Sequence, residues 1–411
     1  MNKKQISAGL DIGSSKVSVC IGVKNEENID ILGIGKFANS GVRKGVIIDV
    51  EETVTAITTA LEEAERMCDF TVGSVIVGIN GSHIQSEINQ GVIAVAKSDG
   101  EISESDAMRA IEAARAVSNR PNREILHVIP KNFTVDGQNG IPDPVGMSGT
   151  RLEVDTNIIS ASLSAIKNVS KCVSQAGLGV SDMVFSPLAT AKMMLTKQQR
   201  EIGVMIIDIG AGTTSFAIFE EGDLIHSGVL PIGSGHITND VAIGLRTNIK
   251  LAEIIKIKYG YASPDKVDEK DEVELAKFDK IETGSANIKY IAEIIEARLN
   301  EIFVMVRDEL RSINREGMLP SGIVLTGGGS KLEGMADFVK NILRLPTEIG
   351  KPVFPLIGVV DNITDPVYAT SAGLMMWGIE SGIAVTNKRI NVPELNTVVG
   401  KIRGVFKQFL P

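Results

Sequence analysis

Two stretches of this chain carry the same pattern of apolar and polar positions. At 204–207 four apolar residues in a row close on Asp208-Ile209-Gly210-Ala211-Gly212-Thr213-Thr214. Near the start, the largely apolar run 6–10 closes on Asp11-Ile12-Gly13-Ser14-Ser15-Lys16. A short apolar run bounded by glycine predicts a buried strand that turns sharply. Each copy continues as an alternating run, a polar turn (24–28 and 220–223) and a third strand (29–34 and 224–229). A supersecondary unit repeated half a chain apart predicts two related halves facing one ligand, rather than a short-period solenoid.

The rest of the pattern fills in around these hairpins. Val54, Ile57, Leu61 and Ala64 recur at helical spacing over 53–67, and 74–79 is a buried strand. From 83 to about 160, strands at 91–95, 125–129 and 158–162 surround a helix over 104–117, which reads as an inserted module offering a protein contact surface. A helix over 164–176 buries Ile166, Val169 and Val173, a strand follows at 183–185, and Pro187 suits the first turn of the next helix. Further helices are predicted from Thr238, across 252–256 and over 286–313. The segment 265–282 is charge-dense without periodicity and reads as an exposed loop or ragged edge. A strand at 322–326 then meets Gly327-Gly328-Gly329 and enters a helix, and small residues from Ala369 open a close-packing helix. The fold class is α/β.

The end of the chain differs. Residues 385–396 lack periodicity and read as a linker. Over 397–410, at about 100° per residue, Val398, Ile402, Val405, Phe406 and Phe409 fall on one side and Lys401, Arg403, Lys407 and Gln408 on the other. Such a helix is about 20 Å long, too short to span a bilayer, and its cations suit anionic headgroups. An interfacial membrane helix is the expectation; docking on the protein's own core is the alternative.

Composition narrows the classes. The chain of 411 residues is 43% apolar and 23% charged, hence globular, and its net charge of −9 argues against a general nucleic-acid surface. Cys20, Cys68 and Cys172 form neither a disulfide framework nor a metal-ligand spacing, which favours a reducing cytosol. His83, His127, His226 and His236 show no ligand spacing. No signal peptide or run of about 20 apolar residues is present.

The chemistry lies in the paired turns. Glycines let backbone N–H groups approach phosphates, while the aspartate ending each strand orients a hydrated divalent cation. Taken singly, each turn is equally an ordinary glycine hairpin; the repetition favours the ligand. Three glycines after a strand admit the flat face of a nucleoside against bare backbone. Glu253 and Lys256, three apart on one helix face, suit a ribose and an adenine edge or, equally, an ion pair with each other.

Two Asp-Ile-Gly hairpins, Ser186-Pro187-Leu188-Ala189 and Leu325-Thr326-Gly327-Gly328-Gly329, in this order, resemble the actin-like ATPase superfamily over residues 1–383. Gly-His-Ile-Thr-Asn-Asp-Val-Ala-Ile-Gly-Leu at 235–245, Ala-Glu-Ile-Ile-Lys-Ile-Lys-Tyr-Gly at 252–260 and the insert after 82 resemble the FtsA family of bacterial cell-division proteins. The resemblance implies an actin-like (ribonuclease-H-like) fold with two duplicated halves around a nucleotide cleft. Residues 1–82 and 163–200 would form the first half, 83–162 the insert, 201–232 and 314–383 the second half, and 233–313 its nucleotide-side subdomain. Residues 384–396 would be the linker and 397–411 the membrane-targeting helix.

It further implies ATP and Mg2+ as cofactors. Asp11, Gly13, Ser14, Ser15 and Lys16 would form the first phosphate loop, and Asp208, Gly210, Gly212, Thr213 and Thr214, with Gly233, the second. Glu253, Lys256, Gly327, Gly328 and Gly329 would hold adenosine, and Asp11 and Asp208 would hold Mg2+ through water. Arg298 and Glu301 would meet the C-terminal peptide of FtsZ. The other implied partners are further copies of the chain, later division proteins at the insert and anionic lipids at the cytoplasmic face of the membrane, at the division septum. Where related filament ATPases place a glutamate before the proline, this chain has Ser186, so ATP binding with slow hydrolysis is expected. A PilM-like pilus-assembly adaptor and a sugar or acid kinase of the same superfamily are the alternatives.

Overall fold

The computed structural model describes residues 6–383, apart from 26–27, 69, 98, 119, 279–283 and 359–362. The membrane-helix expectation, with Val398, Lys401, Ile402, Arg403, Val405, Phe406, Lys407 and Phe409, lies outside the described residues.

Strands β1 (Ile6–Ile12), β2 (Lys16–Asn25) and β3 (Asn28–Ala38) form an antiparallel meander. The short strands β4 (Val42–Arg43) and β5 (Val46–Ile47) precede helix α1 (Val50–Cys68), and β6 (Ser74–Ile79) returns parallel to β1. The chain then leaves the half through β7 (Gln85–Ala94), α2 (Glu104–Val117), β8 (Arg123–Val135), β9 (Gln138–Ile141) and β10 (Arg151–Ser162). Helix α3 (Leu163–Gln175), β11 (Gly179–Phe185) and α4 (Ser186–Met194) close the first half. After α5 (Lys197–Ile202), the strands β12 (Val204–Ile209), β13 (Thr214–Glu220) and β14 (Asp223–Leu230) repeat the meander.

Helices α6 (Ser234–Leu245) and α7 (Ile249–Tyr259), the hairpin β15 (Glu272–Glu274) and β16 (Ser285–Asn287), and α8 (Ile288–Ser312) follow. Strand β17 (Ile323–Thr326), α9 (Met335–Leu343), β18 (Thr347–Ile349), β19 (Leu356–Gly358) and α10 (Ala369–Glu380) complete the described chain.

The two halves are built alike. The first sheet runs β11-β6-β1-β2-β3-β19 and the second β14-β13-β12-β17-β18. In each, the strand ending in Asp-Ile lies between an antiparallel partner and a parallel one: Asp11 opposes Ser18 while β6 lies alongside, and Asp208 opposes Ser215 while β17 lies alongside. Strand β12 is buried on both faces. Val204 and Ile206 pack into the core of the first half, whereas Met205, Ile207 and Ile209 pack against the helices of the second. That double burial explains why its sequence is a continuous apolar run rather than an alternation.

Helix α10 follows the second half in the chain yet packs on β1, β2, β6 and α4 of the first. Small residues permit this. A Cβ on Gly9 of β1 would lie 2.1 Å from the Ser371 carbonyl oxygen, and one on Gly373 2.2 Å from that of Ala189. The insert has its own sheet, β7-β10-β8-β9, and its own core beneath α2. It also touches the second half: the Asn157 amide donates to the Leu224 carbonyl at 2.5 Å, and the Ser227 hydroxyl to that of Ser86 at 3.1 Å.

Several elements differ from the sequence expectation. Helix α5 arises where none was expected, fixed by a capping box in which Thr196 and Gln199 satisfy each other's backbone N–H groups. Helix α6 starts at Ser234, four residues before Thr238. Beyond the triple glycine the chain enters a 3-10 turn, Gly328–Lys331, before α9. The charge-dense segment is anchored rather than wholly exposed, since Val273 and Leu275 are buried in the core of the second half.

Candidate functional site

The two Asp-Ile-Gly turns close in the same way. The Gly13 N–H donates to the Lys16 carbonyl and the Gly210 N–H to the Thr213 carbonyl, each at 2.9 Å. A Cβ on Gly212 would sit 2.5 Å from Ser14 Oγ and 3.1 Å from the Lys44 backbone nitrogen, so the loops meet at a point where only glycine fits. The Asn80 amide donates across to Ser215 at 3.2 Å.

The cleft between the turns is lined by Asp11, Gly13, Ser14, Ser15 and Lys16 from one half and Asp208, Gly210, Gly212, Thr213, Gly327 and Gly328 from the other. Eleven sequence-predicted residues from three separate segments therefore share one cavity. Asn80, Gly45, Val367 and Thr370 also line it and were missed, because nothing in their local pattern separates them from packing or turn residues.

The remaining predicted residues stand around the cleft. Thr214 is buried, its hydroxyl donating to the Ile232 carbonyl at 2.9 Å. Gly233 caps α6, and the first N–H groups of that helix bind the second turn, Ser234 to the Gly210 carbonyl at 2.8 Å and Gly235 to the Ala211 carbonyl at 2.9 Å. Helix α6 therefore buttresses the turn. Gly329 packs on Ile209, where a Cβ would lie 2.4 Å from its methyl. Glu253 and Lys256 form an ion pair at 2.6 Å, and Lys256, only 8% exposed, also donates to Thr238 at 2.8 Å. Arg298 forks onto Asp240 of α6 at 2.6 and 2.9 Å and reaches Glu301 at 2.5 Å.

Two buried carboxyls dominate the electrostatics. Burial pushes Asp11 up to about 6, with Lys16 opposing and Asp208 adding to the rise. Asp208 is raised chiefly by burial, opposed by a hydrogen bond from Thr370 and by Lys16. Ionised, the pair is uncompensated by one lysine, and a divalent cation would neutralise it. Among the described residues no group of three or more His, Cys, Asp or Glu could hold a metal ion. Two carboxylates suit a cation that keeps most of its waters and takes further oxygens from a phosphate. Ser186 Oγ is buried beside them without a hydrogen-bond partner, a vacant polar contact in the wall. Bare backbone turns and paired carboxylates together fit a phosphate ligand with a hydrated divalent cation.

Relatives match nearly the whole chain. It is 37% identical to the cell-division protein FtsA of Pseudomonas aeruginosa over 373 residues, 90% of this chain and 89% of the relative. The chain belongs to the FtsA family. The FtsA of Bacillus subtilis is 37% identical, covering 92% and 84%, and that of Borreliella burgdorferi 34%, covering 98% of each. The family model described as cell division protein FtsA matches 205–373, and the SHS2 domain inserted in FtsA matches 81–160.

Among solved structures, the PilM-PilN type IV pilus biogenesis complex superposes with a TM-score of 0.67 at 17% identity, covering 91% of this chain and 98% of that one. MreB5 of Spiroplasma citri bound to ADP gives 0.52 at 14% identity, covering 91% and 96%. These likenesses establish that this FtsA-family chain has the actin-like fold, with the SHS2 insert between its β6 and α3.

Proposed function

We propose that this cell-division protein binds ATP with Mg2+ in the cleft and uses the bound state to set its shape, with hydrolysis slow. The observation that carries the reading is the convergence of Asp11 and Asp208 from twin turns on one buried cleft. Support comes also from the MreB5 structures, whose descriptions record bound ADP and AMPPNP. The backbone of both turns would hold the phosphates and the two aspartates the hydrated cation. Gly327 to Gly329, with Glu253 and Lys256 behind them, would face adenosine. Calorimetric titration with ATP and MgCl2 tests this: wild type should bind and the double variant Asp11→Asn/Asp208→Asn should not.

The same chain would tether FtsZ polymers to the cytoplasmic face of the membrane at the septum and associate with its own copies. Family membership and the amphipathic pattern of 397–410 support that reading. No helix among the described residues is long and apolar enough to cross a membrane. Co-sedimentation with anionic liposomes should retain the full chain and lose one ending at Asn396; equal binding of both would remove the tail from the mechanism. An FtsZ C-terminal peptide should bind wild type and fail with Arg298→Glu, which also breaks the fork to Asp240.

A further inference from the structure

The helix that closes the first half also holds the aspartate of the second. Thr370, in the first turn of α10, donates its hydroxyl proton to Asp208 Oδ2 at 2.8 Å. Behind it, Thr190 of α4 lies 3.2 Å from the Thr370 hydroxyl and 3.0 Å from the Ser186 carbonyl. Thr190 is fully buried and Thr370 nearly so. A hydroxyl has one proton: that of Thr370 goes to the carboxylate and that of Thr190 to the Ser186 carbonyl, so Thr190 packs against Thr370 rather than donating to it. Thr190 therefore backs Thr370 by close contact at 3.2 Å, while Thr370 alone holds the carboxylate.

The other carboxylate oxygen is confined from the opposite side. A Cβ on Gly327 would stand 2.2 Å from Asp208 Oδ1, so that oxygen occupies space a side chain would take. Asp208 is thus gripped at Oδ2 and walled at Oδ1. Among the described residues Asp11 has no side-chain donor, although α10 packs on its strand at Gly9.

We propose that Thr370 is a positioning residue for the cation site, acting through Asp208, and that Thr190 backs it. The inference rests on the nucleotide-and-magnesium reading. Thr370 spends its hydrogen bond on Oδ2, which leaves Oδ1 to face the waters of the cation. Removing the hydroxyl frees the carboxylate to rotate and weakens cation-dependent binding. Cation-independent contacts of the nucleotide with the turns remain.

The test titrates a non-hydrolysable ATP analogue into wild type, Thr370→Val, Thr370→Ser and Thr190→Val, each in MgCl2 and in EDTA, with thermal melts as a control for folding. Thr370→Val should weaken binding about 10-fold in MgCl2, in line with losses at residues that orient a metal ligand, and leave binding in EDTA unchanged. Thr370→Ser should stay within about 2-fold of wild type, and so should Thr190→Val, which keeps the packing against Thr370. Equal losses in MgCl2 and EDTA, or no loss in MgCl2, would overturn the positioning role. Should Thr370→Val fail to fold, Thr370→Ala carries the same comparison. Absence of binding by wild type in MgCl2 would instead overturn the nucleotide reading, and the positioning role with it.

Discussion

The two turns are copies in backbone and opposites in how their aspartates are held. Both close through the same glycine-to-carbonyl hydrogen bond at 2.9 Å, and both lie between an antiparallel and a parallel strand. Asp208 is fixed by Thr370 and crowded by Gly327. Asp11 has no such donor among the described residues; burial pushes it up to about 6, with the charge of Lys16 opposing. The frame is thus repeated, while the flanking segments give one carboxylate a hydrogen bond that the other lacks. If the cleft holds magnesium as proposed, Asp208 would be the anchored ligand and Asp11 the one without a side-chain donor.

The strongest way to break that contrast is at the glycines of the parallel strands. Gly327 has φ of +80°, and its Cβ would meet Asp208 Oδ1 at 2.2 Å and the Ile209 carbonyl at 2.7 Å. Gly327→Ala should displace the anchored carboxylate and cost roughly 100-fold in MgATP affinity, since misplacement by an ångström is enough for such losses. Backbone strain adds about 1–2 kcal/mol of instability. On the first half, Gly78 of β6 stands next in register beside Asp11, and its Cβ would meet Ser186 Oγ at 2.9 Å and stand 3.7 Å from Asp11 Oδ1. Gly78→Ala should therefore cost clearly less in the same titration. Equal losses would mean that the two aspartates are held alike.

Charge removal gives a smaller and more diagnostic effect. A carboxyl whose native pKa is raised binds a proton in the folded state that the unfolded state has already lost. For Asp11 the window runs from the ordinary carboxylate value of 3.8 to about 6, and the stability it contributes is lost as pH rises through that range. Asp11→Asn should leave the nucleotide-free protein unchanged near pH 4 and stabilise it at pH 7.5 by on the order of 2 kcal/mol. Asp208→Asn should be stabilising in the same direction, since burial raises Asp208 too, with the Thr370 hydroxyl and Lys16 opposing. Thermal melts across this pH range read both, and an Asp11→Asn profile parallel to wild type would show that the Asp11 carboxyl is not raised.

The frame of this site was legible in the sequence because its signals are short-range. Apolar runs that stop at Asp-Ile-Gly define both strands and both turns, and the repeat itself says that they face one another. The helix over 104–117 was equally plain, an amphipathic run that the structure reproduces as α2. What the sequence did not reveal depends on contacts between distant segments. Helix α5 has six residues, too few for a period, and exists through its cap. Thr370 sits 162 positions from Asp208 in a helix that reads as small-residue packing, so its hydroxyl looks like another space-filler. Glu253 and Lys256 sat three apart in either reading; the structure supplies their shared partner Thr238 from a neighbouring helix.

The smallest expected effect tests the free side of the contrast. Beside Asp11 the polar atom of the wall is Ser186 Oγ, buried and without a hydrogen-bond partner, whereas beside Asp208 the Thr370 hydroxyl is engaged. Deleting a buried hydroxyl that makes no bond removes a desolvation cost and little else. Ser186→Ala should accordingly raise the stability of the nucleotide-free protein by no more than about 1 kcal/mol and change MgATP affinity by less than about 2-fold. It should also relieve part of the Gly78→Ala defect, because the atom that the new Cβ meets first is then gone. That non-additivity, read by a double-mutant cycle in thermal melts, is expected at about 0.5–1 kcal/mol for groups in contact. A Ser186→Ala loss as large as that of Thr370→Val would show instead that the first aspartate is positioned through Ser186, and the two sides of the cleft would be equivalent after all.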